Sequence, residues 1–313
     1  MNKKILVSTL VCSSLSLSSH ALASMAPQTS FESHLGGKLF THNIAGELNF
    51  TKGITNATDH MYNSWLDLST ATSLYNGLDF IAQVGIESEV ETFTPNQEGN
   101  KYQEAVKGDI QLGYNGHSIK GGYDDVILKK IFNPNLQSHL DVGNTENPIG
   151  SQISERGYFA EYGYTIMNTA VGVGILSGGQ HYFSVNSYQP APESSPYFDG
   201  MELGAVLFED VDGSGAGMFF TGTTTLHNNI NLSVGAGTIS NTFSYTASAN
   251  YVMNEYLGVS MISVGDEEHS TVSAGVDLAY DNFITYVDVS ADLSKDGTND
   301  RENRLAFGFK VVF

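Results

Sequence analysis

The chain has 313 residues, 14 Lys and Arg against 34 Asp and Glu, a formal net charge of −20 and one cysteine. Its only arginines are Arg156, Arg301 and Arg304, which excludes a nucleic-acid partner, since binding polyphosphate needs clustered cations that displace counterions. No apolar run reaches the roughly 18 residues that a membrane-spanning helix requires.

The first residues read as a secretory signal. Lys3 and Lys4 form a positive start, Ile5 to Cys12 with the following Ser/Leu stretch form a short apolar segment, and Ala21-Leu22-Ala23 supplies a small-x-small cleavage pattern. Cleavage would leave a chain from Ser24, 313 − 23 = 290 residues. Cys12 falls in the removed part, and Val11 before it speaks against lipidation. The remaining chain would have no disulfide, no thiolate metal site and no cysteine nucleophile. Losing two lysines makes the balance 12 against 34, a charge of −22, which attracts cations.

From there to the end, period-two alternation recurs and helical periodicity is almost absent. Leu78, Phe80, Ala82, Val84 and Ile86 alternate with Asp79, Ile81, Gln83, Gly85 and Glu87. Val106, Gly108, Ile110 and Leu112 alternate with Lys107, Asp109 and Gln111. Further on, Ile230, Leu232, Val234 and Ala236 alternate with Asn231, Ser233 and Gly235. Phe243 to Tyr251 and Val272 to Tyr280 repeat the pattern. The ending is the clearest: Leu305, Phe307, Phe309, Val311 and Phe313 form one apolar row against Ala306, Gly308, Lys310 and Val312. The second face is mostly small and polar, which suits the inside of a barrel better than the outside of a soluble sandwich.

Tyr158, Tyr162, Tyr164, Tyr251, Tyr256, Tyr280 and Phe283 gather at strand ends, as aromatic girdles at two bilayer interfaces would. Tight turns at Asn115-Gly116, Met167-Asn168, Asn228-Asn229, Asn254-Glu255 and Asp281-Asn282 are interspersed with longer polar segments at 52–61, 90–101, 209–216, 265–269 and 294–302. The fold expected is all-β, a transmembrane antiparallel barrel of about 16 strands at roughly ten residues each. Fourteen is the alternative, because Thr169 to Glu202 contains only a short Ser177-Gly178-Gly179 break.

The signal ending Ala21-Leu22-Ala23, the alternating row Leu305 to Phe313 and the terminal phenylalanine resemble the general diffusion porins of Gram-negative outer membranes. That resemblance implies a single barrel domain over 24–313 in the cell outer membrane, in contact with lipid and lipopolysaccharide and built as a homotrimer. It implies that the barrel-assembly machinery reads Phe313. It also implies passive passage of small hydrophilic solutes and ions, with no cofactor and no catalysis. In the family the loop after the fifth strand folds into the lumen. Here the fifth strand is His117 to Tyr123, and the unpatterned segment 124–155 follows it. The Pro-Glu-Phe-Gly-type signature that many members carry in this loop is absent.

Asp124, Asp125, Asp141 and Glu146 in that segment are candidates for an acidic constriction rim, where carboxylates favour cations. The plainer reading is ordinary solvated loop acids. If Phe307 and Phe309 face lipid, Arg304 and Lys310 face the lumen; the same parity turns Lys107 and Lys120 inward. Lys38, between Gly37 and Leu39, is expected to join Arg304 and Lys310, since first and last strands of a closed barrel are neighbours. A basic wall facing acidic loop residues would set a transverse field.

No metal is expected. Asp210-Val211-Asp212-Gly213 begins like a calcium loop, but position twelve is Thr221 rather than glutamate, and the histidines lack zinc spacing. No Gly-x-Ser-x-Gly elbow or phosphate loop marks an enzyme. The rival functions are a solute-specific channel, for sugars for example, for which Trp65 is the one inward aromatic, and a non-conducting structural or adhesive barrel.

Overall fold

A computed structural model of the chain describes residues 29–312 except 36–37, 54–59, 75–76, 93–100, 125–126, 128–156, 193–199, 210–214, 227–228, 240, 255, 268–269 and 294–302. The expected signal segment, Asp125, Asp141, Glu146 and Phe313 lie outside the described residues, as does most of segment 124–155.

Seventeen strands follow one another: β1 (Thr29–Leu35), β2 (Lys38–Gly53), β3 (His60–Ser73), β4 (Asp79–Thr92), β5 (Lys101–Tyr114), β6 (His117–Asp124), β7 (Gly157–Ile166), β8 (Thr169–Leu176), β9 (His181–Pro190), β10 (Gly200–Glu209), β11 (Ala216–Leu226), β12 (Ile230–Ile239), β13 (Thr242–Asn254), β14 (Leu257–Gly265), β15 (Ser270–Tyr280), β16 (Phe283–Asp292) and β17 (Asn303–Val312). Each strand from β2 onward pairs antiparallel with the next. β17 then returns to β2 through seven residue pairs, from Ala306↔Gly53 to Val312↔Glu47. Sixteen strands therefore close into a barrel. Sixteen, not fourteen, is the count. The ambiguous region resolves into β8, β9 and β10, with Gly179 in a left-handed conformation (φ 83°) allowing the tight 177–180 connection.

The extra strand has a clear physical role. β2 is 16 residues long, and β17 covers only its upper part. β1 lies antiparallel on the rest, from Thr29↔Ile44 to Leu35↔Lys38, and so satisfies backbone groups that would otherwise form an open edge. The beginning and end of the barrel chain thus meet on one side of β2.

Parity holds as the alternation requires. Val234 is 60 % exposed and its neighbour Ser233 5 %; Phe309 is 42 % exposed and Lys310 0 %. Apolar side chains point outward into what would be lipid, and the small polar row points into the barrel. The tight turns expected from the sequence sit together at the end where β17 finishes. There Asn115 and Gly116 both take positive φ, as a two-residue hairpin demands. Tyr164, Tyr251, Tyr256, Tyr280 and Phe283 are exposed at that same end, while Tyr123 packs edge-on against Tyr158 at the other. Cysteine substitutions at Val234, Val276 and Phe309 should react with a lipid-phase thiol probe. Those at Ser233 and Asp277 should react only with a water-soluble one, and the opposite pattern would overturn the register.

Candidate functional site

The inner wall is built by alternation, and among the described residues its buried charges fall in one arc. Lys107 on β5 reaches Asp67 on β3 at 3.7 Å, Lys120 on β6 lies 3.2 Å from Asp109 on β5, and Lys310 on β17 lies 3.8 Å from Glu47 on β2. Asp277 on β15 and Asp288 on β16 continue the arc beyond Lys310. Lys120 also stands 5.7 Å over the ring of Phe159. Among the described residues the buried charged side chains are six carboxylates (Glu47, Asp67, Asp109, Asp124, Asp277 and Asp288) and one lysine, Lys310.

Lys107, Lys120 and Lys310 are thus inward, as parity anticipated, and Asp124 is buried at the end of β6. Arg304 lies on β17 opposite Ser290; its side chain is outside the described residues. Lys38 is a correction. The unbroken β2–β3 register puts it on the face of Leu48 and Phe50, not that of Glu47. Lys310 pairs with Asn49, 49 − 38 = 11 residues further along β2. Gly37 and Leu39 carry no real parity signal, because one is featureless and the other sits at the strand's frayed start. Each inward lysine is matched to a wall carboxylate, an arrangement not anticipated from sequence. The signal is present there: the parity that turns Lys107 inward does the same for Asp109 and Asp277.

A recurring device sets the wall's smoothness. At several inward glycines a side chain from one flanking strand lies across the position toward the other. Lys107 passes Gly85 to reach Asp67; a Cβ on Gly85 would overlap both side chains. Tyr182 crosses Gly174 and donates its hydroxyl to Glu161 Oε2 at 2.7 Å. Tyr286 crosses Gly308 and donates to the Phe50 carbonyl at 3.5 Å. These long side chains are thereby kept against the wall.

The other arc is apolar at the end away from the tight turns. Phe159, Tyr182, Phe208, Phe219 and Ile239, on strands β7 to β12, belong to one buried cluster, and Ile127 joins them. Ile127 follows β6 by three residues, so the chain bears on the barrel's inner side directly after Asp124.

No protein-family profile matches the chain, and no curated protein sequence matches it. Solved structures do. A triple mutant of the Rhodopseudomonas blastica porin aligns with a TM-score of 0.51 and 11 % identity, covering 88 % of this chain and 100 % of that one. The chain has the porin fold. Another mutant of the same porin, and a structure titled for the asymmetric conductivity of engineered proteins, each align at TM-score 0.52 with the same identity and coverage. A porin fold accounts for the outward apolar band and the charged inner arc together. Sixteen strands leave an interior wider than side chains alone fill.

Proposed function

We propose that the chain is a passive, cation-favouring diffusion pore for ions and small hydrophilic solutes, working as a trimer in a Gram-negative outer membrane. The observation that carries this reading is the wall itself, where six buried carboxylates outnumber the inward lysines Lys107, Lys120 and Lys310. Wall charges act at close quarters, whereas acids on outer loops are screened over about 8 Å at physiological salt. Ile127 in the inner cluster supports a segment 124–155 that turns into the lumen, with Asp124, Asp125, Asp141 and Glu146 as its acidic contribution. Signal cleavage after Ala23, assembly through Phe313 and contact with lipopolysaccharide complete the reading.

Reversal potentials of single channels in a KCl gradient test it. The native pore should prefer K+, and Lys107→Gln with Lys120→Gln should raise that preference several-fold by freeing Asp67 and Asp109. Anion preference in the native pore would overturn the proposal.

A second reading, a solute-specific channel, draws on the inner aromatics Phe159, Tyr182, Phe208 and Phe219. Their burial against one another ranks it lower. Concentration-dependent block of the K+ current by a neutral oligosaccharide would favour it.

A further inference from the structure

Charged and oxygen-bearing side chains outside the three lysine pairs concentrate where β13 to β16 pass side by side. The register aligns Asn250, Ser260, Gly275 and Asp288 in one row across those four strands. All face inward, and Asp277 stands two residues from Gly275 on the same face of β15. Asn250, Ser260, Asp277 and Asp288 are each at least nine-tenths buried. Gly275 has no side chain, so the Asp288 carboxylate lies over it toward β14. A Cβ there would overlap Asp288 Oδ1 and lie 3.1 Å from Ser260 Oγ, so the two oxygens gather around the same point of the wall. Among the described residues Ser260 Oγ, Asn250 Oδ1 and both oxygens of Asp288 take part in no hydrogen bond. Buried polar atoms are nearly always satisfied, so four such oxygens in one row require a reason.

Lys310 does not supply it. Its ammonium lies 3.8 Å from Glu47 and interacts electrostatically with Glu47, Asp277 and Asp288. Among the described residues three carboxyl groups thus share this one ammonium.

We propose that the oxygen row beside Gly275 is a binding site for a small monovalent cation such as K+ or Na+, held by Asp288 and Ser260, with Asn250 extending the row and Asp277 adding charge. Calcium takes about six to eight oxygens and several carboxylates. No group of three or more acidic, histidine or cysteine side chains arranged for such an ion occurs among the described residues. Two carboxylates and two neutral oxygens suit an ion held weakly and released quickly, as conduction requires. The inference deepens the pore reading above and rests on it for access of ions from the lumen.

Thallium(I) is a suitable probe, since it replaces K+ and scatters anomalously. Crystals of the full chain soaked in thallium acetate should show a peak at Gly275 bordered by Asp288 and Ser260. Asp288→Asn should lose the peak, Ser260→Ala should lower its occupancy several-fold, and Asp288→Glu should retain it. No peak in the native chain, or an undiminished peak in Asp288→Asn, would overturn the site. Bilayer currents on the same samples separate the two readings. A chain that binds thallium without conducting keeps the site and loses the pore, and a K+-selective pore with no thallium beside Gly275 does the reverse.

Discussion

Replacing Gly308 by valine is expected to prevent stable closure of the barrel. Gly308 lies on β17 between Tyr286 of β16 and Thr51 of β2, and a Cβ there would overlap the Tyr286 ring and the Phe50 carbonyl oxygen. The ring could move only into the lumen, losing its 3.5 Å hydrogen bond to Phe50; the carbonyl could not move without distorting the β17–β2 ladder. Overpacking of this kind typically costs about 1–3 kcal/mol, and more where backbone is the obstacle. The position aggravates the loss. The seam consists of seven residue pairs, and opening it strips two strand edges of their backbone hydrogen-bond partners. Electrophoresis of unheated samples should show little compact barrel for Gly308→Val. Gly222→Ala is the control, because a Cβ there meets only ordinary contacts at 3.6 Å and beyond. A Gly308→Val chain as heat-stable as the native one would mean that the seam is looser than its register implies.

Alternation at period two makes the two faces of a strand legible from residue order alone. Leu305 to Phe313 by itself fixes the inward direction of Lys310, and the same rule orients Val234, Val276 and their neighbours correctly. The fifth barrel strand also falls where the pattern puts it, at His117–Asp124. Beyond the single strand, residue order is less informative. Which lysine meets which acid depends on register and shear between strands, and nothing within one strand encodes that. Asp67 and Lys107 stand on β3 and β5 and meet only because Gly85 separates them. The acids of the wall obey the same parity as the lysines, yet the loop acids Asp124 and Asp125 stand out more in the sequence because they directly leave a strand. Lys38 defeats the rule because no run of alternating residues surrounds it. β1 is hidden for a related reason. Thr29 to Leu35 is short and mixed in polarity, and its strand character comes from the unpaired edge of β2 beside it.

Replacing Lys310 by methionine should cost more than replacing either of the more exposed inward lysines. Lys310 is fully buried and, among the described residues, is the one cation acting on Glu47, Asp277 and Asp288, whereas Lys107 and Lys120 keep some contact with solvent. Methionine preserves most of the side-chain volume, so packing changes little and the effect isolates the charge. Removing one partner from a buried ion group leaves its counter-charges uncompensated and typically costs about 3–5 kcal/mol, whereas replacing both partners by uncharged groups is often close to neutral. Lys310→Met should therefore lower the urea midpoint of refolded barrels markedly. Lys310→Met with Glu47→Gln should recover part of the loss and not all, because Asp277 and Asp288 remain. A cycle of the two single variants and the double variant measures the coupling directly. If the oxygen row beside Gly275 holds a monovalent cation, raising K+ should restore stability to Lys310→Met more than choline at the same ionic strength, since choline, a methylated ammonium, only screens. Equal rescue by both salts would assign the effect to screening, and a coupling near zero would mean that Lys310 and Glu47 are neighbours without being partners.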